Sequence, residues 1–228
     1  MIKVCIMGDI HGVYTTLNQA PKNTDLIVQI GDFGYTHLHS PLTYIFDYPI
    51  YFISGNHDSI DQLKYLSRNE TEIGKFNNKL WYIPRGWVEL IGDTLVGFLG
   101  GAETPAPFRA SFVPGLTLFA DEGIKELDLR RLEDNLNTWN RVYKPKAYRE
   151  LDVLITHSPP ISILRKMAYL KMITEVNETN SAEFVEQAIL IFKPKKSFFG
   201  HMHRSFDDTI GNTKVIGLNT NEMFLEEW

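Results

Sequence analysis

One pattern recurs five times and constrains everything else. A short apolar run of strand-forming residues ends, and a loop bearing His, Asp or Asn follows at once. Ile2-Lys3-Val4-Cys5-Ile6-Met7 leads into Gly8-Asp9-Ile10-His11-Gly12. Leu26-Ile27-Val28-Gln29-Ile30 leads into Gly31-Asp32, and Ile50-Tyr51-Phe52-Ile53 into Gly55-Asn56-His57-Asp58. Val153-Leu154-Ile155 leads into Thr156-His157-Ser158, and Lys196-Ser197-Phe198-Phe199 into Gly200-His201-Met202-His203. Runs of this kind read as buried strands. Small polar residues after a strand usually make only a turn. The repetition of metal-ligating side chains in the same place is what raises the pattern above turn chemistry.

A chain of 228 residues, 43% of them hydrophobic, can bury a real core as one domain, with room for an insertion. The formal charge of −5 argues against a general nucleic-acid groove. A small phosphate substrate stays compatible, because bound divalent ions add local positive charge. Cys5 is the one cysteine, so no intramolecular disulfide can form; it reads as a core residue. A strand beginning at Ile2, with Asp9 interrupting any apolar stretch, predicts no signal peptide and no membrane span, hence a cytoplasmic protein.

Read in order, the chain opens as strand, loop and helix. Short helices are expected over Val13–Ala20 and Ser59–Ser67, the second capped by Ser59 or Asp58, and a helical turn over Pro41–Phe46. Leu80–Ile83, Trp87–Ile91 and Leu95–Leu99 read as an antiparallel meander with turns at Arg85-Gly86 and Gly92-Asp93. Pro105, Pro107 and Pro114 mark Glu103–Gly115 as irregular. Asp121–Asn140 reads as a helix with Leu127, Leu132 and Leu136 inward. Arg141–Arg149, carrying Arg141, Lys144, Lys146 and Arg149, reads as a solvated connector, and His37 and His39 as surface loop residues. Helices over Ile161–Met172 and Ala182–Ile191 follow, then a closing hairpin of Phe206–Ile210 and Thr213–Leu218 about Gly211-Asn212. The order implies an α/β fold of two packed sheets covered by helices.

The five loops supply Asp9, His11, Asp32, Asn56, His157, His201 and His203. Mixed nitrogen and oxygen ligands without thiolate suit divalent ions such as Mn²⁺, Fe²⁺, Zn²⁺ or Ni²⁺ rather than a structural zinc. Seven ligands are too many for one tetrahedral ion and suit two, with one carboxylate shared. Two such ions roughly 3.5–4 Å apart can hold both oxygens of an in-line displacement at phosphorus and activate a water between them.

Asp-X-His, Gly-Asp, Gly-Asn-His-Asp, a lone His and Gly-His-X-His, in that order from Gly8 to His203, resemble the calcineurin-like metallophosphoesterase family. The resemblance implies a four-layer α/β-β-α sandwich, two mixed sheets flanked by helices. It implies one metal on Asp9, His11 and His203, a second on Asn56, His157 and His201, and Asp32 bridging. His57 would lie beside the metals as general acid or phosphate-oxygen ligand, with Asp58 orienting it. The cofactors expected are two divalent ions, Mn²⁺ first, with Fe, Ni, Zn or Mg as alternatives. The protein phosphatases of this family continue the second motif with a further Asp and a phosphate-binding Arg. Here it reads Gly31-Asp32-Phe33-Gly34-Tyr35, and the third motif ends in Asp58 where those enzymes have Glu. The chain is thus more similar to the small bacterial and phage phosphoesterases, with Gly100-Gly101-Ala102 as a further shared feature.

The domain reading is a single metallophosphoesterase domain over residues 1–228, with a loop-helix insertion over about 103–150 near the active site. The function expected is hydrolysis of small phosphodiesters or cyclic nucleotides by a metal-bridging hydroxide. Phosphomonoester hydrolysis is the runner-up; a nuclease and a non-catalytic scaffold rank below it. Arg109 is the candidate phosphate clamp, and Phe33–Ser40 with Glu103–Gly115 the loops expected to set specificity. The partner expected is a small phosphate ester, with no membrane role.

Overall fold

The computed structural model describes residues 1–36, 40–104, 119, 121–143, 150–174 and 179–228. Arg109, His37, His39 and the basic residues Lys144, Lys146 and Arg149 lie outside the described residues. Two six-stranded sheets make the centre. The first has the order β12-β1-β2-β3-β5-β4, built from Lys3–Met7 (β1), Leu26–Gln29 (β2), Ile50–Phe52 (β3), Gly74–Lys75 (β4), Leu80–Tyr82 (β5) and Met223–Glu227 (β12). The second has the order β10-β11-β9-β8-β7-β6. Its strands are Trp87–Ile91 (β6), Thr94–Leu99 (β7), Val153–Thr156 (β8), Lys196–Phe199 (β9), Phe206–Ile210 (β10) and Thr213–Gly217 (β11). In each sheet four parallel strands are flanked by an antiparallel edge strand on either side.

Strand alternation explains the layers. Val4, Ile6, Val28, Val96, Phe98, Ile155 and Phe198 face one another between the sheets. Cys5, Met7, Ile27, Phe52 and Tyr82 turn to the other face of the first sheet, under Leu17, Ile60 and Leu63. Ile60–Leu66 (α1) and a 3₁₀ turn at Tyr14–Gln19 cover that face. Glu126–Tyr143 (α2), Ile161–Tyr169 (α3) and Asn180–Phe192 (α4) cover the second sheet, packing Leu129, Leu132, Leu136, Ile163, Val185 and Ile189 on Leu95, Leu154 and Val215. Strands covered on both faces must be apolar throughout, which is why these runs are nearly continuous. The four-layer sandwich is as expected. Among the described residues no helix is long and apolar enough to cross a membrane.

Several local expectations need correction. The Leu80 run does not open a meander. It joins the first sheet, parallel to β3, while β6 and β7 form a hairpin in the second around Gly92-Asp93. The switch takes four residues, 83–86: Ile83 donates its N–H to Phe52 O (2.8 Å), Pro84 has none to donate, and Gly86 donates to Phe98 O (2.8 Å). The expected helix at Val13–Ala20 is only the 3₁₀ turn. The helix expected from Asp121 begins at Glu126 and runs on to Tyr143, so Arg141 lies in its last turn rather than in a connector. Leu127 is exposed, because the buried stripe is Leu129, Leu132, Leu136 and Trp139, three to four residues apart. Ser59 precedes α1 without a side-chain cap bond, and Asp58 is committed elsewhere. The edge strands β4 and β12 went unread: one is two residues long, and the other ends in Glu226-Glu227, as suits an exposed edge.

Candidate metal centre

The parallel strands deliver their loops to a common end. One ligating atom from each of Asp9, His11, Asp32 and His203 lies within 4.8 Å of the other three, and Asp32, His157 and His201 form a second such group. Asp32 is common to both. Asn56 belongs with the second, its Oδ1 standing 3.3 Å from His157 Nε2. The seven side chains expected from sequence therefore converge. His11 and His203 show how far the fold has to reach: 192 residues separate them along the chain, and their Nε2 atoms are 2.9 Å apart.

Backbone geometry is part of the construction. His11, Asp32, His201 and His203 all have positive φ, from 44° to 65°. Such angles are uncommon for residues with a Cβ and gather where function over-determines the chain. Gly55 and Gly200 have no room for one, since a Cβ would strike the Asp32 carboxylate at the first and the Asp9 carboxylate at the second.

The loops are held by hydrogen bonds that leave ligand atoms facing inward. The N–H of His201 donates to Asp9 (3.0 Å) and that of His57 to Asp32 Oδ1 (2.8 Å). His157 Nδ1 is 3.0 Å from Ile30 O, an acceptor, so it carries the proton and presents Nε2 toward Asp32 Oδ1 at 3.4 Å. The side chain of Gln29 clips the first two loops, donating to the carbonyls of Gly8 and Gly31 and accepting from the N–H of Gly31.

Asp58 has a different task from the one expected. Its carboxylate accepts from Gly34 and Tyr35 N–H at Oδ1 (2.8 and 2.9 Å) and from Gly55 and Phe33 N–H at Oδ2 (2.8 and 3.2 Å). Those four bonds match the lone pairs of a carboxylate. Asp58 thus ties the second loop to the third, and its influence on His57 runs through the backbone. His57 itself stands beside the cluster, its ring 5.3 Å from that of His11.

The electrostatics suit captured cations. Burial alone would raise Asp32, but His157 and its fellow imidazoles hold it well below the usual carboxylate range. Burial alone would lower His157, but Asp32 and Asp9 outweigh it and hold the ring up at about 9. Burial pushes His201 down to about 4, with the charge of His157 adding to the effect, and burial also lowers His11. The hydrogen bond to Asp9 raises His203. Burial and then Asp32 push Asp58 up to about 6. Buried carboxylates interleaved with imidazoles in this way form a donor set fitted to divalent ions, whose uptake displaces ring protons.

Residues 2–205 match the model of the calcineurin-like phosphoesterases. The chain belongs to that family, whose members are metal-dependent phosphoester hydrolases with a dinuclear divalent metal centre. No curated protein matches it in sequence. Its fold is similar to that of phosphopantetheinyl hydrolase from Mycobacterium tuberculosis, with a TM-score of 0.54 at 12% identity over 96% of this chain and 90% of that one. It is also similar to TT1561 of Thermus thermophilus, with a TM-score of 0.52 at 11% identity over 99% and 98% of the two chains. At such identities the likeness is one of fold.

Among the described residues, three neighbours of the cluster were not singled out by the sequence: Gln29, Thr104 and Glu122. Gln29 ends β2, Thr104 lies in the stretch read only as an irregular loop expected to set specificity, and Glu122, 18 residues further on, lies in the stretch read as the start of a helix.

Proposed function

We propose that this protein is a two-metal phosphodiesterase acting on small phosphodiesters. The observation that carries the reading is the pair of ligand groups sharing Asp32, with the His57 ring alongside. Asp9, His11 and His203 would hold one ion, and Asn56, His157 and His201 the other, with Asp32 between them. The ions, Mn²⁺ first among them, would supply positive charge for the phosphate oxygens and a water that ionises near neutral pH. His57 would give a proton from a ring nitrogen to the departing oxygen.

The preference for diesters rests on what the second loop lacks. A monoester dianion asks for a further cation beside the metals, and Gly31–Tyr35 contains none. Phe33 is fully buried, stacked on Phe52 with ring centroids 4.2 Å apart, and the N–H groups of Gly34 and Tyr35 are engaged by Asp58. The runner-up, a phosphomonoesterase, draws support from Arg204, exposed directly after His203. We also assign the stretch 103–150 as an insertion serving the site. Its described residues Thr104 and Glu122 meet behind Asn56, which makes Arg109, between them in sequence, our candidate for a phosphate contact.

The test is hydrolysis of bis-p-nitrophenyl phosphate beside p-nitrophenyl phosphate. Metal-stripped protein is reconstituted with Mn²⁺, Ni²⁺, Zn²⁺ or Mg²⁺. The diester should be preferred in a metal-dependent way; preference for the monoester would put the runner-up first. His57→Ala should lower turnover by about 10²-fold or more while both ions are retained. Loss of metal from that variant would show that His57 is a ligand instead.

A further inference from the structure

Asn56 differs from the other six residues of the centre in one respect. Its amide has two ends of nearly equal shape and opposite polarity. Oxygen toward the cluster makes a ligand, whereas nitrogen would turn two N–H donors on a cation. Shape alone does not choose, so the choice falls to the hydrogen bonds behind the residue.

We propose that Thr104 and Glu122 are positioning residues that fix the polarity of the Asn56 amide, so that its Oδ1 is presented beside His157 and His201. The inference rests on the metal-centre reading above and adds residues that reading does not contain. Asn56 is buried, and its Nδ2 donates to Thr104 Oγ1 at 3.1 Å. A hydroxyl has one proton to give. The Glu122 carboxylate takes it at Oε2 (3.0 Å), while Oε1 accepts the backbone N–H of Thr104 (2.7 Å). With its proton directed to Glu122, the Thr104 oxygen turns lone pairs toward Asn56. Only the N–H end of the amide satisfies them. Polarity is thus handed from a carboxylate through a hydroxyl to an amide, and the amide oxygen is left facing the cluster.

The relay is anchored at its far end. Glu122 is buried, at 3% exposure, and its carbonyl accepts the N–H of Ala102 (3.1 Å). The guanidinium of Arg85, also buried, donates to the carbonyls of Asp121 (2.8 Å), Glu122 (2.9 Å) and Gly123 (2.7 Å). Gly101 N–H donates to Ser54 O (2.7 Å), which holds the end of β7 against the loop that carries Asn56. Three carbonyls on one planar cation leave the backbone at Glu122 little freedom. The carboxylate therefore stays where the Thr104 proton needs it.

The test is calorimetric titration of the metal-stripped full chain with Mn²⁺ alone. Two binding events are expected in the wild type. Thr104→Val keeps the shape and removes the relay; it should weaken one event by roughly tenfold or more and leave the other within about twofold. Thr104→Ser restores a hydroxyl and should restore the affinity. The discriminating background is Asn56→Asp. A carboxylate has an oxygen at both ends and presents one to the cluster whatever stands behind it, so adding Thr104→Val there should not weaken Mn²⁺ binding. A merely structural role for Thr104 would instead weaken binding equally in both backgrounds. That result would overturn the proposal, as would a Thr104→Val variant with both events unchanged. Uptake of fewer than two ions by the wild type would overturn the metal-centre reading itself, and this inference with it.

Discussion

The two halves of the centre are built differently. On one side His11 and His203 reach the surface, with side-chain exposures of 32% and 48%, and only Asp9 is buried. On the other side Asn56 and His157 are buried, backed by Ile30 O and by Thr104. The buried half is held by bonds to groups that are themselves fixed, so its geometry exists before any ion arrives. In the open half the loops are tied from outside, by Gln29 and by the N–H of His11 on Asp32 O (2.9 Å). The imidazoles themselves meet only fellow members of the site, His11 with His203 and His203 with Asp9 (3.1 Å), among the contacts of the described residues. A site arranged in this way offers a rigid wall and an open face, and the open face is where substrate can approach.

The largest effect is expected at the residue both halves share. Asp32→Asn should lower turnover by about 10²–10³-fold or more, as expected for loss of a preorganised charged group, and should weaken uptake of both ions in calorimetry. Loss at one ion alone would deny that Asp32 is common ground. Next come the two sides taken separately. In metal-free protein His157→Ala should cost about 3 kcal/mol in urea denaturation, since it leaves buried carboxylates without their partner. His203→Ala, on the exposed side, should cost at most about 1 kcal/mol. Equal costs would erase the contrast. Asp58→Asn should follow at about 2 kcal/mol, because an amide cannot accept from all four N–H groups that the carboxylate satisfies.

The smallest effect belongs to the support of the buried half. Hydrogen bonds from Lys125 and Lys64 hold Asp121, next to Glu122, down at about 2. A carboxylate held low contributes stability when ionised. That contribution should be full above about pH 4 and lost as pH falls from there through 2. Asp121 is 42% exposed, so solvent screening keeps it well under about 1 kcal/mol. Comparing Asp121→Asn with the wild type across that range at low and high salt should show a small difference that salt removes.

Much of the site was legible because strands that are buried on both faces leave a plain trace, an apolar run that stops where the chain emerges. Asp9, Asp32, Asn56, His157 and His201 each stand within a few residues of such a stop. Asp58 was legible as a polar residue at the right place and misread in its task. Whether a carboxylate orients a ring or gathers four N–H groups depends on where Phe33–Tyr35 pass, and nothing near Asp58 in sequence says so. Leu127 was misread for a similar reason, since an apolar residue early in a helix does not declare which stripe faces the sheet.

The local pattern alone determined that this chain makes buried strands ending in ligand-bearing loops, and from the ligand types that two divalent ions suit it. Those are consequences of side-chain period and donor chemistry, which neighbours in sequence carry. Tertiary structure decided which sheet β5 would join, that β12 would pair with β1, and that Thr104 and Glu122 would stand behind Asn56. These depend on hydrogen bonds between residues far apart in the chain, such as Ile83 to Phe52 and Thr104 to Glu122, and such partners are chosen only when the layers close.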